Sequence, residues 1–109
     1  MSTLGQHFIL DGVPGEGLPS VAALTEALLA LPARLGLTVV GSPQVAFTAE
    51  ALVGLVLLSE SHLAIHFGTA GPTVHADLFS CRSFSEEEAS EWLVEHFRLT
   101  QVRRRSIQR

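Results

Sequence analysis

Leu55-Val56-Leu57-Leu58-Ser59-Glu60-Ser61-His62-Leu63-Ala64-Ile65-His66 is the stretch that decides how this chain folds. Two runs rich in apolar residues, Leu52 to Leu58 and His62 to Phe67, flank the polar triplet Ser59-Glu60-Ser61. Runs of this length, separated by turn formers, read as neighbouring strands. A strand pair with only a structural purpose has little reason to carry Ser-Glu-Ser-His. It has less reason to carry a second histidine four residues on. The stretch therefore points to both a fold and a candidate chemistry.

Toward the N-terminus, His7 to Leu10 reads as a first strand. Asp11-Gly12-Val13-Pro14-Gly15-Glu16-Gly17 is dense in turn formers and reads as a loop. Pro19-Ser20 opens a helix, with Val21, Leu24, Leu28, Leu29 and Leu35 near helical spacing. Pro32 is expected to end or kink it. Leu37 to Val40 is a second strand, closed by Gly41-Ser42-Pro43, with Val45 to Thr48 as an irregular continuation.

Toward the C-terminus, Gly68-Thr69-Ala70-Gly71-Pro72 is a turn and Thr73 to Ser80 a strand. Ser85-Glu86-Glu87-Glu88 is a capping box. Its carboxylates suit a helix N-terminus. That helix runs to about Phe97 with Trp92, Leu93 and Phe97 inward, and Leu99 to Ile107 is a last strand. The order predicts an α+β two-layer sandwich: an antiparallel sheet with two helices on one face.

The 109 residues fit one domain, 1–109. A hydrophobic fraction of 47% argues against disorder. So small a chain often completes its core or site as a homodimer or higher oligomer. A formal charge of −4 gives no reason to expect nucleic acid. The late cluster Arg98, Arg103, Arg104, Arg105 and Arg109 reads as a solvated terminal strand. No apolar run approaches the roughly 20 residues of a membrane helix, so no membrane partner is expected. Met1 to Gln6 lacks the basic and apolar regions of a signal peptide. The lone Cys81 permits no intrachain disulfide and suits a reducing cytoplasm. All seven basic residues among Lys and Arg are arginines. Without lysine, the chain cannot anchor pyridoxal phosphate. Amine chemistry here needs a carbonyl from another source.

On spacing alone, Ser61 is a turn serine and His66 a polar residue at a strand end. A free cysteine is most often a small buried apolar residue. The whole string from Ser59 to His66, with Asp77-Leu78-Phe79-Ser80-Cys81 downstream, reverses those readings. Together they resemble the self-processing region of the bacterial S-adenosylmethionine decarboxylase proenzymes. Leu4-Gly5 and His7 match that family's opening strand, Asp11 stands at an acidic position, and Thr38-Val39-Val40 matches the strand after the first helix.

The resemblance implies a pyruvoyl-dependent amino-acid decarboxylase of polyamine synthesis. S-adenosylmethionine is the family's substrate, and the family is dimeric with active sites near the subunit interface. Ser61 would attack the Glu60 carbonyl and turn the peptide into an ester. Elimination would leave Glu60 as a new C-terminus and Ser61 as the pyruvoyl cofactor, giving chains 1–60 and 61–109. A strained turn, a proton acceptor and an oxyanion donor are required. His66 matches the processing histidine. Cys81 matches the proton donor at the substrate's α-carbon; an ordinary thiol is mostly protonated at neutral pH. Phe47 stands at an aromatic position that contacts adenine, although plain core packing is its ordinary role. No metal is expected.

Three departures bear on function. A serine that assists processing is replaced by Val53 in Ala51-Leu52-Val53-Gly54. A tryptophan and a glutamate on the nucleoside side are replaced by Gly68 and Ala70. Buried polar contacts discriminate strongly between substrates. Two alternatives therefore stand beside the family default. One is a decarboxylase of L-ornithine or L-arginine, with Asp11 and Asp77 at strand ends, ahead of Glu16, for the distal cation. The other is an uncleaved, non-catalytic regulatory homologue.

Overall fold

In the computed structural model, which describes residues 4–71 and 73–109, the chain order is β1 (Gln6–Pro14), α1 (Val21–Arg34), β2 (Val39–Phe47), β3 (Ala51–Leu58), β4 (Ser61–Gly68), β5 (Val74–Ser80), α2 (Glu86–Phe97) and β6 (Leu99–Gln108). Residues 1–3, part of the Met1 to Gln6 stretch read against a signal peptide, and Pro72 of the expected turn lie outside the described residues. The strands form one sheet in the order β2-β3-β4-β5-β1-β6. Every neighbouring pair is antiparallel. The α+β architecture read from the sequence is the one observed.

Strand alternation sorts residues onto two faces. Leu52, Val56 and Leu58 of β3, Leu63, Ile65 and Phe67 of β4, and Val74, Ala76 and Leu78 of β5 are buried on one face. Phe8 and Leu10 of β1 join them. Both helices cover that face. From α1 come Leu24, Ala27, Leu28 and Leu31, and from α2 come Ala89, Leu93 and Phe97. Phe67 meets Phe97 edge-on at 5.0 Å between centroids. Burying one such side chain contributes about 1.5–3 kcal/mol. α1 rests close on β3 because residue 54 is glycine. A Cβ there would lie 2.8 Å from Leu28 Cδ1 and 3.0 Å from Leu24.

Both helices begin at serine caps. Ser20 Oγ accepts from Ala23 N at 3.0 Å, and Ser85 Oγ accepts from Glu88 N at 3.1 Å. Each bond satisfies one of the free N–H groups of a first turn.

Several boundaries differ from the sequence reading. β1 runs on through Asp11 to Pro14, because β5 and β6 pair with that segment from both sides. Pro32 does not end α1 at the residue before it; it lies inside the helix, two residues before the last, and is buried. It falls in the last turn, where a missing N–H removes one bond near an end that already frays. Val21 and Leu29 are exposed, while Ala27 and Leu31 take the inward positions. The second strand starts at Val39 rather than Leu37 and runs unbroken to Phe47, absorbing Gly41-Ser42-Pro43 as a bulge between Val40 and Gln44. Trp92 is only partly buried, packing at the core's margin and stacking on His96 at 4.3 Å. No helix among the described residues is long and apolar enough to cross a membrane.

Candidate active site

The chain turns between β3 and β4 at Ser59 and Glu60, and Ser61 is the first residue of β4 rather than part of the turn. The start of β2 holds this turn from the side. Ser59 N donates to Thr38 O at 2.8 Å, and Thr38 N donates to Glu60 Oε1 at 3.0 Å. Glu60 Oε2 lies 3.7 Å from the exposed guanidinium of Arg82, and the Glu60 side chain is 10% exposed. The Glu60 carbonyl accepts a hydrogen bond from Cys81 N at 2.9 Å. The peptide bond between Glu60 and Ser61 is thus polarised by a fixed donor.

Ser61 itself has φ of 154°, outside the regions where L-residues rest. Such strain persists only where the surroundings over-determine it, as they do in many active sites. Ser61 is paired with Leu58 on one side and Ser80 on the other. Its Oγ lies 3.0 Å from His62 Nδ1. Consecutive side chains of a regular strand point to opposite faces, so this contact goes with the unusual φ. The His62 ring rests against Phe79, with centroids 6.2 Å apart. Glu60, Ser61, His62 and Cys81 therefore form one corner at the end of the sheet.

The face opposite the helices is open. Register places His62, Ala64 and His66 of β4 beside Phe79, Asp77 and His75 of β5. His7, Ile9 and Asp11 of β1 continue the same rows. On the other side lie Leu57, Leu55 and Val53 of β3. Half of this face is polar and half apolar, with Leu55, Leu57 and Val40 exposed.

Asp11 and Asp77 lie inside β1 and β5, not at strand ends. Each already has an imidazole partner. His75 Nδ1 is 2.8 Å from Asp11 Oδ1, and His7 Nε2 contacts Asp77 Oδ1. Glu16 stands away from the sheet face in the loop after β1, 3.5 Å from Arg98.

His66 is on the open face, exposed, directly opposite Val53 and His75. It lies five positions along the strand from Ser61, a rise of roughly 16 Å. Within a single chain it cannot reach the Ser61 hydroxyl. Phe47 is not in the corner either. It pairs with Leu52, whose side chain faces the helices, and it is 61% exposed at the end of an edge strand. At Gly68, a Cβ would lie 2.7 Å from Thr73 Oγ1 and 3.2 Å from Gly71 O. A side chain there requires the Thr73 hydroxyl to swing aside and the Gly71 carbonyl to give by a few tenths of an ångström.

Two residues have no role in the sequence reading. His62 was within the quoted string, and its signal is adjacency to the strained serine. His75 is signalled by alternation with Asp77, which puts both on the open face with Asp11.

The family profile described as S-adenosylmethionine decarboxylase matches residues 6–109. This chain belongs to the S-adenosylmethionine decarboxylase family. Among its relatives is a protein of Symbiobacterium thermophilum, 37% identical over 82 residues, covering 73% of this chain and 62% of that protein. One from Acidithiobacillus ferrooxidans is 31% identical over 105 residues, covering 94% and 79% respectively. One from Archaeoglobus fulgidus is 30% identical over 98 residues, covering 87% and 88%. Each is named an S-adenosylmethionine decarboxylase proenzyme. The matched stretch thus spans less than two thirds of the first of these relatives. The crystal structure of the adenosylmethionine decarboxylase from Aquifex aeolicus superposes with a TM-score of 0.83 at 24% identity, over 100% of this chain and 92% of that one. That likeness extends the fold to the whole of the described chain.

Proposed function

We propose that this chain is a proenzyme that cleaves itself between Glu60 and Ser61 and then decarboxylates an amino-acid substrate, S-adenosylmethionine by family membership, in polyamine synthesis. The observation that carries the reading is the corner itself. Ser61 is strained, its hydroxyl is hydrogen-bonded to an imidazole, and the carbonyl before it is held by Cys81 N–H. These are the parts that an attack of Oγ on the Glu60 carbonyl needs. As the carbonyl carbon becomes tetrahedral, its oxygen gains charge, and the Cys81 amide is already aimed at it. Ester formation, followed by loss of the Ser61 α-proton and departure of the Glu60 carboxylate, would leave a dehydroalanine whose imine tautomer water hydrolyses to the pyruvoyl group, releasing the Ser61 nitrogen as ammonia. The residues present fit that group: it arises at Ser61, beside Cys81, in a chain without lysine. When formed, it supplies the electron sink for decarboxylation. The Cys81 thiol donates the proton to the substrate's α-carbon.

His66 belongs to this chemistry only if a second copy supplies it. The open face offers the means. Exposed Leu55, Leu57 and Val40 form an apolar strip beside the corner. Two sheets packed face to face through that strip would bury it and carry His66 of one copy to the Ser61 end of the other. Two protons must leave Ser61, one from oxygen and one from the α-carbon, so two acceptors have work there. The reading is therefore a homodimer, with no membrane or nucleic-acid partner, in a cytoplasmic setting that keeps Cys81 reduced.

A second reading has its own observation. Gly68 and Ala70 carry no side chain large enough to form a wall beside this turn. A smaller substrate such as L-ornithine or L-arginine fits a site without that wall. Its distal cation would meet Asp11 or Asp77 and displace the imidazole each now holds.

Intact mass of the purified protein under denaturing conditions tests the central claim. Two chains, 1–60 and 61–109, the second with a pyruvoyl-blocked terminus, are expected. A single uncleaved chain after long incubation would sink it and leave the non-catalytic homologue. Carbon dioxide release from S-adenosylmethionine, and not from ornithine or arginine, would then dispose of the second reading.

A further inference from the structure

Self-cleavage begins with removal of the Ser61 hydroxyl proton, and His66 of the same chain is about 16 Å along the strand from that hydroxyl. The imidazole that touches it is His62, with Nδ1 3.0 Å from Oγ. Resting on the proposed self-cleavage, we propose that His62 is the base for the first step and carries the proton from Ser61 oxygen to Ser61 nitrogen.

Three features support this beyond the contact. Adjacent strand residues do not normally meet through their side chains, and the contact exists because Ser61 adopts φ of 154°. The strain is thus coupled to bringing hydroxyl and imidazole together. The ring is held by its neighbours: Phe79 lies 6.2 Å away centroid to centroid, and Leu57 stands opposite across β3. On the other side of the scissile bond, the Cys81 amide holds the Glu60 oxygen at 2.9 Å. Base, nucleophile and oxyanion donor are thus all contributed by one chain.

The step balances within the protein. With the ring proton on Nε2, Nδ1 accepts the hydroxyl proton as Oγ bonds to the Glu60 carbonyl carbon. The carbon–nitrogen bond between Glu60 and Ser61 then breaks, and the same proton passes to the departing nitrogen. The amide becomes an ester and a free amine, with no atom gained or lost. Nδ1 is suited to both transfers because oxygen and nitrogen belong to the same residue, next in the chain. The α-proton is removed later and at a different atom, which leaves a separate task for His66 of a second copy.

The test follows the full chain made by cell-free synthesis. Intact mass is read at intervals, and hydroxylamine in a parallel sample cuts any ester already formed. In His62→Ala, ester formation is expected to slow by about 100-fold or more, the range of a lost general base. Imidazole added to the buffer should restore part of that rate. His62→Asn places an amide oxygen near the Nδ1 position but cannot carry a proton. It should keep the wild-type circular dichroism and melting temperature and still cleave slowly. Wild-type rates in either variant overturn the proposal, as does a His62→Ala rate that imidazole leaves unchanged. A wild-type chain that itself never cleaves removes the self-cleavage reading and this step with it, and is told apart because no variant is needed to see it.

Discussion

The two ends of β4 differ in what a single chain supplies. At the Ser61 end, the strained residue, an imidazole on its hydroxyl and an amide N–H on the preceding carbonyl are all in place. At the Gly68 end, His66 faces Val53, which has no hydrogen-bonding group, and Gly68 and Ala70 leave the following turn bare. Chemistry that acts on the chain's own backbone needs only local geometry, because turn and strand are covalently joined. Chemistry that holds a separate substrate needs walls, and here those walls are thin. On the proposed function, the contrast separates a corner that one chain completes from a substrate end that one chain leaves open.

The largest expected effect breaks the contrast at its centre, by asking whether the ends come from different copies. Ser61→Ala leaves no nucleophile and His66→Ala no second acceptor, so each alone should fail to yield the pyruvoyl-blocked chain. Co-expressed, they should yield it. The Ser61 of the His66→Ala chain would be served by His66 from the Ser61→Ala chain. Mass labelling of one variant identifies which chain is cut. No product from the mixture, with both variants folded, would mean that His66 does not act across an interface.

Cys81→Ala comes next and separates cleavage from turnover. The bond to the Glu60 carbonyl is made by the backbone amide, which alanine retains. Cleavage should therefore proceed near the wild-type rate. Turnover should fall by about 100-fold or more, as the proton donor is lost. If cleavage stops as well, the thiol is holding the corner together and the donor role is wrong.

Much of this arrangement is legible in the sequence, and the rest is hidden for definite reasons. Apolar runs and the turn formers Ser59-Glu60-Ser61 between them reveal the β3–β4 pair, and the capping serines mark both helices. Asp11-Gly12-Val13-Pro14 reads as a loop because its composition favours turns, yet two strands pair with it and tertiary pairing overrides propensity. The Cys81–Glu60 bond joins residues that no local pattern connects; only the register of β4 on β5 brings them together. The partners of Asp11 and Asp77 are hidden for the same reason. The separation of His66 from Ser61 is different. The rise of a strand alone makes it plain, once a strand is assumed. A motif read as a string treats its members as neighbours, whereas a strand spreads them along a line.

The smallest expected effect restores a polar group at the bare end. Val53→Ser puts a hydroxyl directly opposite His66 across the β3–β4 pair. Directly opposed residues on one face have Cβ atoms about 4.5–5.5 Å apart, within reach of a hydroxyl–imidazole hydrogen bond. A bond of that kind contributes about 0.5–1.5 kcal/mol. Spent on orienting His66, it should raise the rate of the later proton removal about two- to twelvefold, since 1.4 kcal/mol is a factor of ten. The cost is on stability. Val53 is half-buried and well suited to a strand, and serine should lower stability by about 1 kcal/mol. The rate must therefore be read well below the melting temperature, as decay of the hydroxylamine-sensitive ester rather than as loss of the intact chain. An unchanged ester lifetime would show that His66 is already held, with His75, directly opposite it on β5, as the next residue to vary.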